Sequence, residues 1–101
     1  MAKLVLSAAN DNSPQPATVF LLMAQYHGRA VISIEEICRD FFSHLEPAKF
    51  VRKVTAGDIC IPLIRMEPSQ KSAKGVHIND LAEYIDKQAN LARKECRQLA
   101  S

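Results

Sequence analysis

Residues 33–58, SIEEICRDFFSHLEPAKFVRKVTAGD, predict two short helices separated by a turn. Ser33 followed three residues later by Glu36 is a capping box, in which each side chain accepts a backbone N–H of the other residue at a helix start. The apolar residues that follow recur at helical spacing: Ile34, Ile37, Cys38 and Phe41. The pattern then breaks, Pro47 suits the first position of a new helix, and Gly57 suits its end. This order is that of a helix-turn-helix.

The second of these helices, predicted over residues 47–56, is basic on one side. Its core face is predicted from the spacing of Phe50, Val51 and Val54. The opposite stripe carries Lys49, Arg52, Lys53 and Ala56. A solvated surface is the ordinary reason for such a stripe, but helix-turn-helix folds lay this second helix in the major groove of DNA. We therefore expect residues 47–56 to be a recognition helix.

The chain before this unit predicts an arm and one more helix. Residues 1–17 are rich in Asn, Ser and Pro and are expected to form a flexible arm. Thr18 is the predicted N-cap of a first helix that ends near Gly28, with an apolar stripe at Val19, Leu22, Met23 and Tyr26. Phe20 and Leu21 lie outside that stripe. A short β-branched run at residues 30–32 leads into the helix-turn-helix.

The chain after the helix-turn-helix predicts a β-hairpin and a long helix. Residues 59–66 are predicted as a strand that Pro62 confines to an edge, residues 68–75 as a polar loop, and residues 76–78 as the returning strand. Asn79 is the predicted N-cap of the last helix. Its apolar side continues to the end of the chain through Leu81, Tyr84, Ile85, Ala89, Ala92, Cys96 and Leu99.

Together these elements predict a mostly α fold with a small β-hairpin wing, of the α+β class. We expect a winged helix-turn-helix domain over residues 18–101, with an N-terminal helix, a wing at residues 60–78 and a long C-terminal helix. The 101 residues, 48% of them hydrophobic, leave room for one domain.

Positive charge is concentrated in the middle of the chain. The net charge is only +2, but residues 47–75 hold six of the 13 lysine and arginine residues and two of the 11 acidic ones. A polyanion would find its binding surface there. The wing adds to this surface its own polar and basic residues, among them Arg65, Gln70, Lys71 and Lys74.

Other functional classes find little support in the sequence. Three cysteines, Cys38, Cys60 and Cys96, are widely spaced and predict neither disulfides nor zinc binding. The pair of Cys38 with His44 would be catalytic only beside an oxyanion site, and the three glycines form no phosphate-binding loop. We expect no enzyme activity, no metal and no cofactor. No apolar stretch approaches the roughly 20 residues of a membrane span, so we expect a cytoplasmic protein.

Two groups of DNA-binding proteins resemble this sequence. Residues 33–86 resemble the excisionase and MerR-like winged-helix group, through SIEEIC, AGD, ICIPLIR and VHINDLAEYID. A closer resemblance, to the pyocin activator family, covers Thr18 to roughly Cys96. It rests on TVFLLMAQYHGRAVISIEEICRDFF, KFVRKVTAGDICIPLIRM and SQKSAKGVHINDLAEYID. The last of these is the most specific.

The resemblance implies a transcriptional activator of phage-tail-like bacteriocin or prophage genes, which binds double-stranded promoter DNA and recruits RNA polymerase. It implies that Lys49, Arg52 and Lys53 read the groove and that Gln70, Lys71 and Lys74 grip the flanking backbone. An excisionase-like factor that bends DNA for recombination is the alternative, and an interaction module without a DNA role is a third. Because one such module offers a small interface, we also expect a homodimer, formed by the first helix and the far half of the last.

Overall fold

A computed structural model describes residues 16–69 and 73–100 of the chain. Within them the predicted winged helix-turn-helix of the α+β class is confirmed. The elements are α1 (Pro16–Gln25), β1 (Val31–Ser33), α2 (Ile34–Phe41), α3 (Pro47–Thr55), β2 (Ile64–Arg65), β3 (Lys74–His77) and α4 (Ile78–Ala100). The predicted arm, apart from Pro16 and Ala17 in the first turn of α1, lies outside the described residues.

The capping box at the start of α2 is present as predicted. The Ser33 hydroxyl accepts the N–H of Glu36 at 3.2 Å, and the Ser33 N–H donates to the Glu36 carboxylate at 3.4 Å. Two helix N–H groups that have no partner within the helix are thereby satisfied. Ile34, Ile37 and Cys38 are buried, so α2 presents the predicted stripe to the core.

The recognition helix predicted over residues 47–56 is α3, with Ala56 as its C-cap. Gly57 follows with a φ of +88°, which only glycine adopts at little cost. The N–H of Asp58 donates to the Lys53 carbonyl at 2.9 Å and that of Gly57 to the Val54 carbonyl at 3.0 Å. This pair of bonds is the Schellman motif, which stops the helix and turns the chain toward the wing.

The hairpin of β2 and β3 defines the wing, and β1 joins it as a third strand. The order is β1-β3-β2, all antiparallel. Gly75 is required in β3 because a Cβ there would lie 2.7 Å from Val31 Cγ1. The strand predicted over residues 59–66 is wrong in extent: only Ile64–Arg65 is a strand, since the preceding segment turns inward and buries Ile59 and Ile61.

Helix α4 starts one residue earlier than the predicted cap at Asn79. The chain passes from β3 directly into the helix at Ile78, and His77 Nδ1 accepts the N–H of Asn79 at 3.0 Å. His77 therefore caps the start of α4, the role that was predicted for Asn79. The Ile78 N–H donates to the Ala30 carbonyl at 2.8 Å, which joins the start of α4 to the chain just before β1.

Helix α1 packs on the first half of α4. The prediction of Thr18 as its N-cap is wrong, because α1 already begins at Pro16, and proline is tolerated in the first helical turn. Thr18 instead donates its hydroxyl hydrogen to Asp86 Oδ1 of α4 at 2.7 Å. Leu22 and Tyr26 are 4% and 1% exposed. They join the single core, whose most completely buried members also include Phe50, Ile32, Ile37, Leu81 and Val76.

Candidate nucleic-acid interface

The outer side of α3 presents the residues predicted to read DNA. Lys49 and Arg52 are exposed, whereas Lys53 is half-buried at the margin of the core face. Phe50 is fully buried against the ring of Phe42, with 5.0 Å between ring centroids. This anchor fixes the rotation of α3 about its axis and thereby the direction in which Arg52 points.

The wing brings two further cations to the same helix. Arg65 is exposed on β2 and is paired across the ladder with Lys74 on β3. Both line a cleft of about 350 Å³ between the wing and α3, together with Thr55 and the apolar residues Val54, Ile61, Pro62 and Leu63. Lys74 also lines a cleft of about 230 Å³ toward Ala48 and Val51. The structure therefore brings Arg65 and Lys74 beside α3.

The three cations of α3 lie at different angles around the helix axis, and these angles decide which of them is near the wing. Successive residues of a helix are about 100° apart, and the wing-facing side of α3 is the one with Ala48 and Thr55. Arg52 lies next to that side, because it is about 40° from Ala48. Lys49 and Lys53 lie on the far flank. Arg52 therefore lies between the two lysines on one flank and the wing on the other. The remaining predicted residues, Gln70 and Lys71, lie outside the described residues.

Thr55 is a residue of this surface that the sequence analysis missed. It is exposed and lines the cleft that holds Arg65 and Lys74. Its position three residues after Arg52 was a signal that it shares the outer side of the helix. Nothing in the sequence indicated that the wing lies along this side.

The cations of this surface form no ion pair with any acidic residue that the structure describes. In the described part of the chain the ion pairs are Arg29–Glu36 at 2.7 Å, Arg39–Asp40 at 2.8 Å and Lys87–Glu83 at 3.6 Å. None of them involves Lys49, Arg52, Lys53, Arg65 or Lys74. Glu35 lines the smaller cleft beside Lys74, yet no ion pair joins the two. Five positive side chains are therefore left to a ligand or to solvent.

The corner between α1 and α2 uses its charges internally. The guanidinium of Arg29 donates two hydrogen bonds to Glu36, at 3.0 and 2.7 Å, and Ser33 donates a third at 2.9 Å. They lower the pKa of Glu36 to about 2. Hydrogen bonds from Arg39, and then from the Tyr26 hydroxyl at 2.5 Å, lower the pKa of Asp40 to about 2. Burial, with the bond to Asp40, raises the pKa of Tyr26. This network joins α1 to α2 and pairs both Arg29 and Arg39 with carboxylates.

The other chemistry considered from the sequence finds no assembled site in residues 16–69 and 73–100. Cys38 is buried, and burial raises the pKa of its thiol, which disfavours the reactive thiolate. No hydrogen bond links it to His44, whose ring lies 6.4 Å from that of Phe42. No three His, Cys, Asp or Glu side chains of this part group to hold a metal ion. All three cysteines are free.

None of the described helices has the length and apolarity needed to span a membrane.

Comparison with known proteins identifies a family. No curated protein and no solved structure matches the chain. A family model described as "Pyocin activator protein PrtN" matches residues 18–92, from the start of α1 to the middle of α4. It covers the helix-turn-helix, the wing and the packing of α1 on α4, so it spans well over half of the 101 residues. The description is that of an activator protein and names no enzyme class. This chain belongs to the pyocin activator family.

Proposed function

We propose that this protein is a cytoplasmic, sequence-specific DNA-binding activator of bacteriocin or prophage genes. The observation that carries the proposal is the set of five cations on α3 and the wing without an acidic partner among the described residues. The cations of the α1–α2 corner are neutralised by the chain itself. A side chain that lacks an internal partner and lies on a recognition helix is available to DNA phosphates and base edges.

In this proposal α3 enters the major groove, which is wide enough for a helix. Arg52 projects between the two flanks and donates to a base edge, where guanine offers two acceptors to an arginine. Lys49 and Lys53 on one flank and the wing on the other then face the two backbones that border the groove. Gln70 and Lys71, which lie outside the described residues, are predicted to extend the backbone contact. This division follows from the direction of each side chain around α3.

A second subunit accompanies this mode of binding. One short helix and one wing give a smaller interface than specific DNA complexes bury. Large apolar side chains remain exposed on α1, where Phe20 is 66% and Leu21 71% exposed, and on the far half of α4, where Leu91 is 58% and Leu99 87% exposed. We assign these surfaces to a homodimer that binds two half-sites about one helical turn apart. Bound at a promoter, the dimer recruits RNA polymerase.

Footprinting on the DNA upstream of the host's phage-tail-like bacteriocin cluster tests the proposal. The expected result is protection of paired half-sites, together with increased transcription from the same template by purified RNA polymerase. No protection at any upstream position would contradict DNA-directed activation. Protection with a strong bend but no added transcription would favour the excisionase-like alternative. Light scattering on the free protein, with and without the change Leu99→Asp, tests the dimer: a monomer mass for the unchanged chain at high concentration would contradict it.

A further inference from the structure

The cleft between α3 and the wing contains two like charges that the fold itself places side by side. Arg65 and Lys74 are directly opposite in the antiparallel pairing of β2 with β3. Residues opposite each other on one pair of strands have Cβ atoms about 5 Å apart, and like charges in that arrangement repel. No carboxylate among the described residues forms an ion pair with either. The wing thus carries an uncompensated repulsion that a bound anion would relieve.

The rest of the cleft determines which kind of anion fits. Its volume of about 350 Å³ is far larger than the roughly 10–15 Å³ that a cavity needs in order to hold one water molecule. Val54, Ile61 and Leu63 contribute apolar side chains to its lining, beside the charged groups. Thr55 of α3 adds a hydroxyl donor, which lies across the cleft from the two wing residues. Guanidinium, ammonium and hydroxyl are the donors that commonly hold phosphate oxygens, and arginine can bind two of them at once.

The position of the cleft identifies the source of the phosphate. It lies along the side of α3 next to Arg52, between the recognition helix and the wing. A strand that borders the major groove occupied by α3 would run through this gap. A free anion would meet the same donors, but only a DNA strand would be held there in a fixed register with the base contact of Arg52.

We infer that the cleft lined by Thr55, Arg65 and Lys74 is a binding site for one backbone phosphodiester of the bound DNA. This phosphate sets the register of α3 in the groove. The inference rests on the proposed function and deepens it, because it separates a positioning site from the base-reading side chain. Thr55 belongs to this phosphate-binding site although it carries no charge.

The first test replaces Lys74. Lys74→Glu puts an acid opposite Arg65, so the repulsion becomes an attraction and the site is filled internally. We expect an unchanged or raised Tm together with a loss of DNA affinity of about tenfold or more, as for a lost hydrogen bond to a charged group. Lys87→Glu, which makes the same charge change at an exposed position in the first half of α4, is the control and should leave affinity nearly unchanged. Equal losses of DNA affinity for the two variants would overturn the proposed phosphate-binding site. Lys74→Met keeps the test valid if Lys74→Glu does not fold.

The decisive test uses duplexes of the footprinted site in which one phosphate at a time is a neutral methylphosphonate. The unchanged protein should lose about tenfold in affinity at one position per half-site. Lys74→Met and Thr55→Val should bind weakly to every duplex and lose their sensitivity at that position alone. The same positional profile in all proteins would overturn the inference while DNA binding stands. Absence of binding by the unchanged protein to any duplex would instead overturn the proposed function, and the inference with it.

Discussion

The α1–α2 corner and the α3–wing face both carry cations, but only those of the corner are paired within the described structure. In the corner, Arg29 and Arg39 lie within 2.8 Å of Glu36 and Asp40, and the pKa of each carboxyl is lowered accordingly. On the α3–wing face, five cations lie without an ion pair in the described structure. The chain therefore uses charge in the corner to hold elements together and keeps charge available on the face.

This difference teaches that pairing, rather than the count of charges, marks the candidate interface. The net charge of +2 is too small to indicate a nucleic-acid partner. Changes in the corner should therefore act on the free energy of unfolding, and changes on the face should act on DNA affinity. Each prediction below tests one side of that separation.

The largest effect is expected in the corner, from Tyr26→Ala. The ring is 1% exposed and packs in the core, so its removal should lower the free energy of unfolding by about 3–5 kcal/mol. Tyr26→Phe removes only the hydroxyl that binds Asp40 and should cost about 1 kcal/mol. Urea denaturation measures both. A loss of DNA affinity by Tyr26→Phe under conditions in which it is fully folded would place the corner in the interface and break the separation.

The next effect belongs to the face. Arg52→Ala should weaken binding to the footprinted site by about 1–3 kcal/mol and relax the preference at one base position. Its free energy of unfolding should stay within about 0.5 kcal/mol of the unchanged chain, because the side chain is exposed and unpaired. Arg39→Ala in the corner is the matched control, since Arg39 is also exposed but bonds to Asp40. Equal affinity for the two variants would show that Arg52 does not contact DNA.

Much of the fold follows from short-range sequence signals. The capping box at Ser33 and the stop at Gly57 depend on residues within a few positions of each other, so α2 and α3 could be predicted closely. The third strand β1 could not, because its pairing of Val31 with His77 joins distant parts of the chain. The cap of α4 was misassigned for a related reason: β3 runs into the helix without a loop, so a strand residue caps it.

The candidate site could also be predicted only in part. Periodicity alone placed Lys49 and Arg52 on the exposed side of α3. It could not show that Lys53 is half-buried, since that depends on how α3 is rotated against the core by Phe50. The closeness of Arg65, Lys74 and Thr55 depends on strand register and on the side of α3 along which the wing lies. Neither is encoded locally.

A smaller effect on the face should come from its lysines. Lys49→Met and Lys53→Met keep the apolar part of each side chain and remove the charge. If each lysine contacts a phosphate, the slope of log affinity against log salt should fall by about one unit per variant, with base preference retained. Lys87→Met is the control, because Lys87 already has a carboxylate partner in Glu83 at 3.6 Å. Unaltered slopes for both α3 variants would mean that this flank faces solvent in the complex.

The smallest expected effect is the response of the corner to acid. In the unfolded chain a carboxyl group has a pKa of about 4, whereas the partners of Glu36 and Asp40 hold each at about 2. Each group therefore contributes stability that is present above about pH 4 and is lost as pH falls toward 2. The contribution is modest because both pairs are reached by solvent and salt. Glu36→Gln and Asp40→Asn should lower the free energy of unfolding at neutral pH and flatten its decline in acid. Glu95→Gln, an exposed acid on α4, should leave the curve unchanged, as should Lys49→Met on the face. Acid curves of equal slope for Asp40→Asn and Glu95→Gln would show that the corner pairs do not stabilise the fold, and the separation between corner and face would then rest on Tyr26 alone.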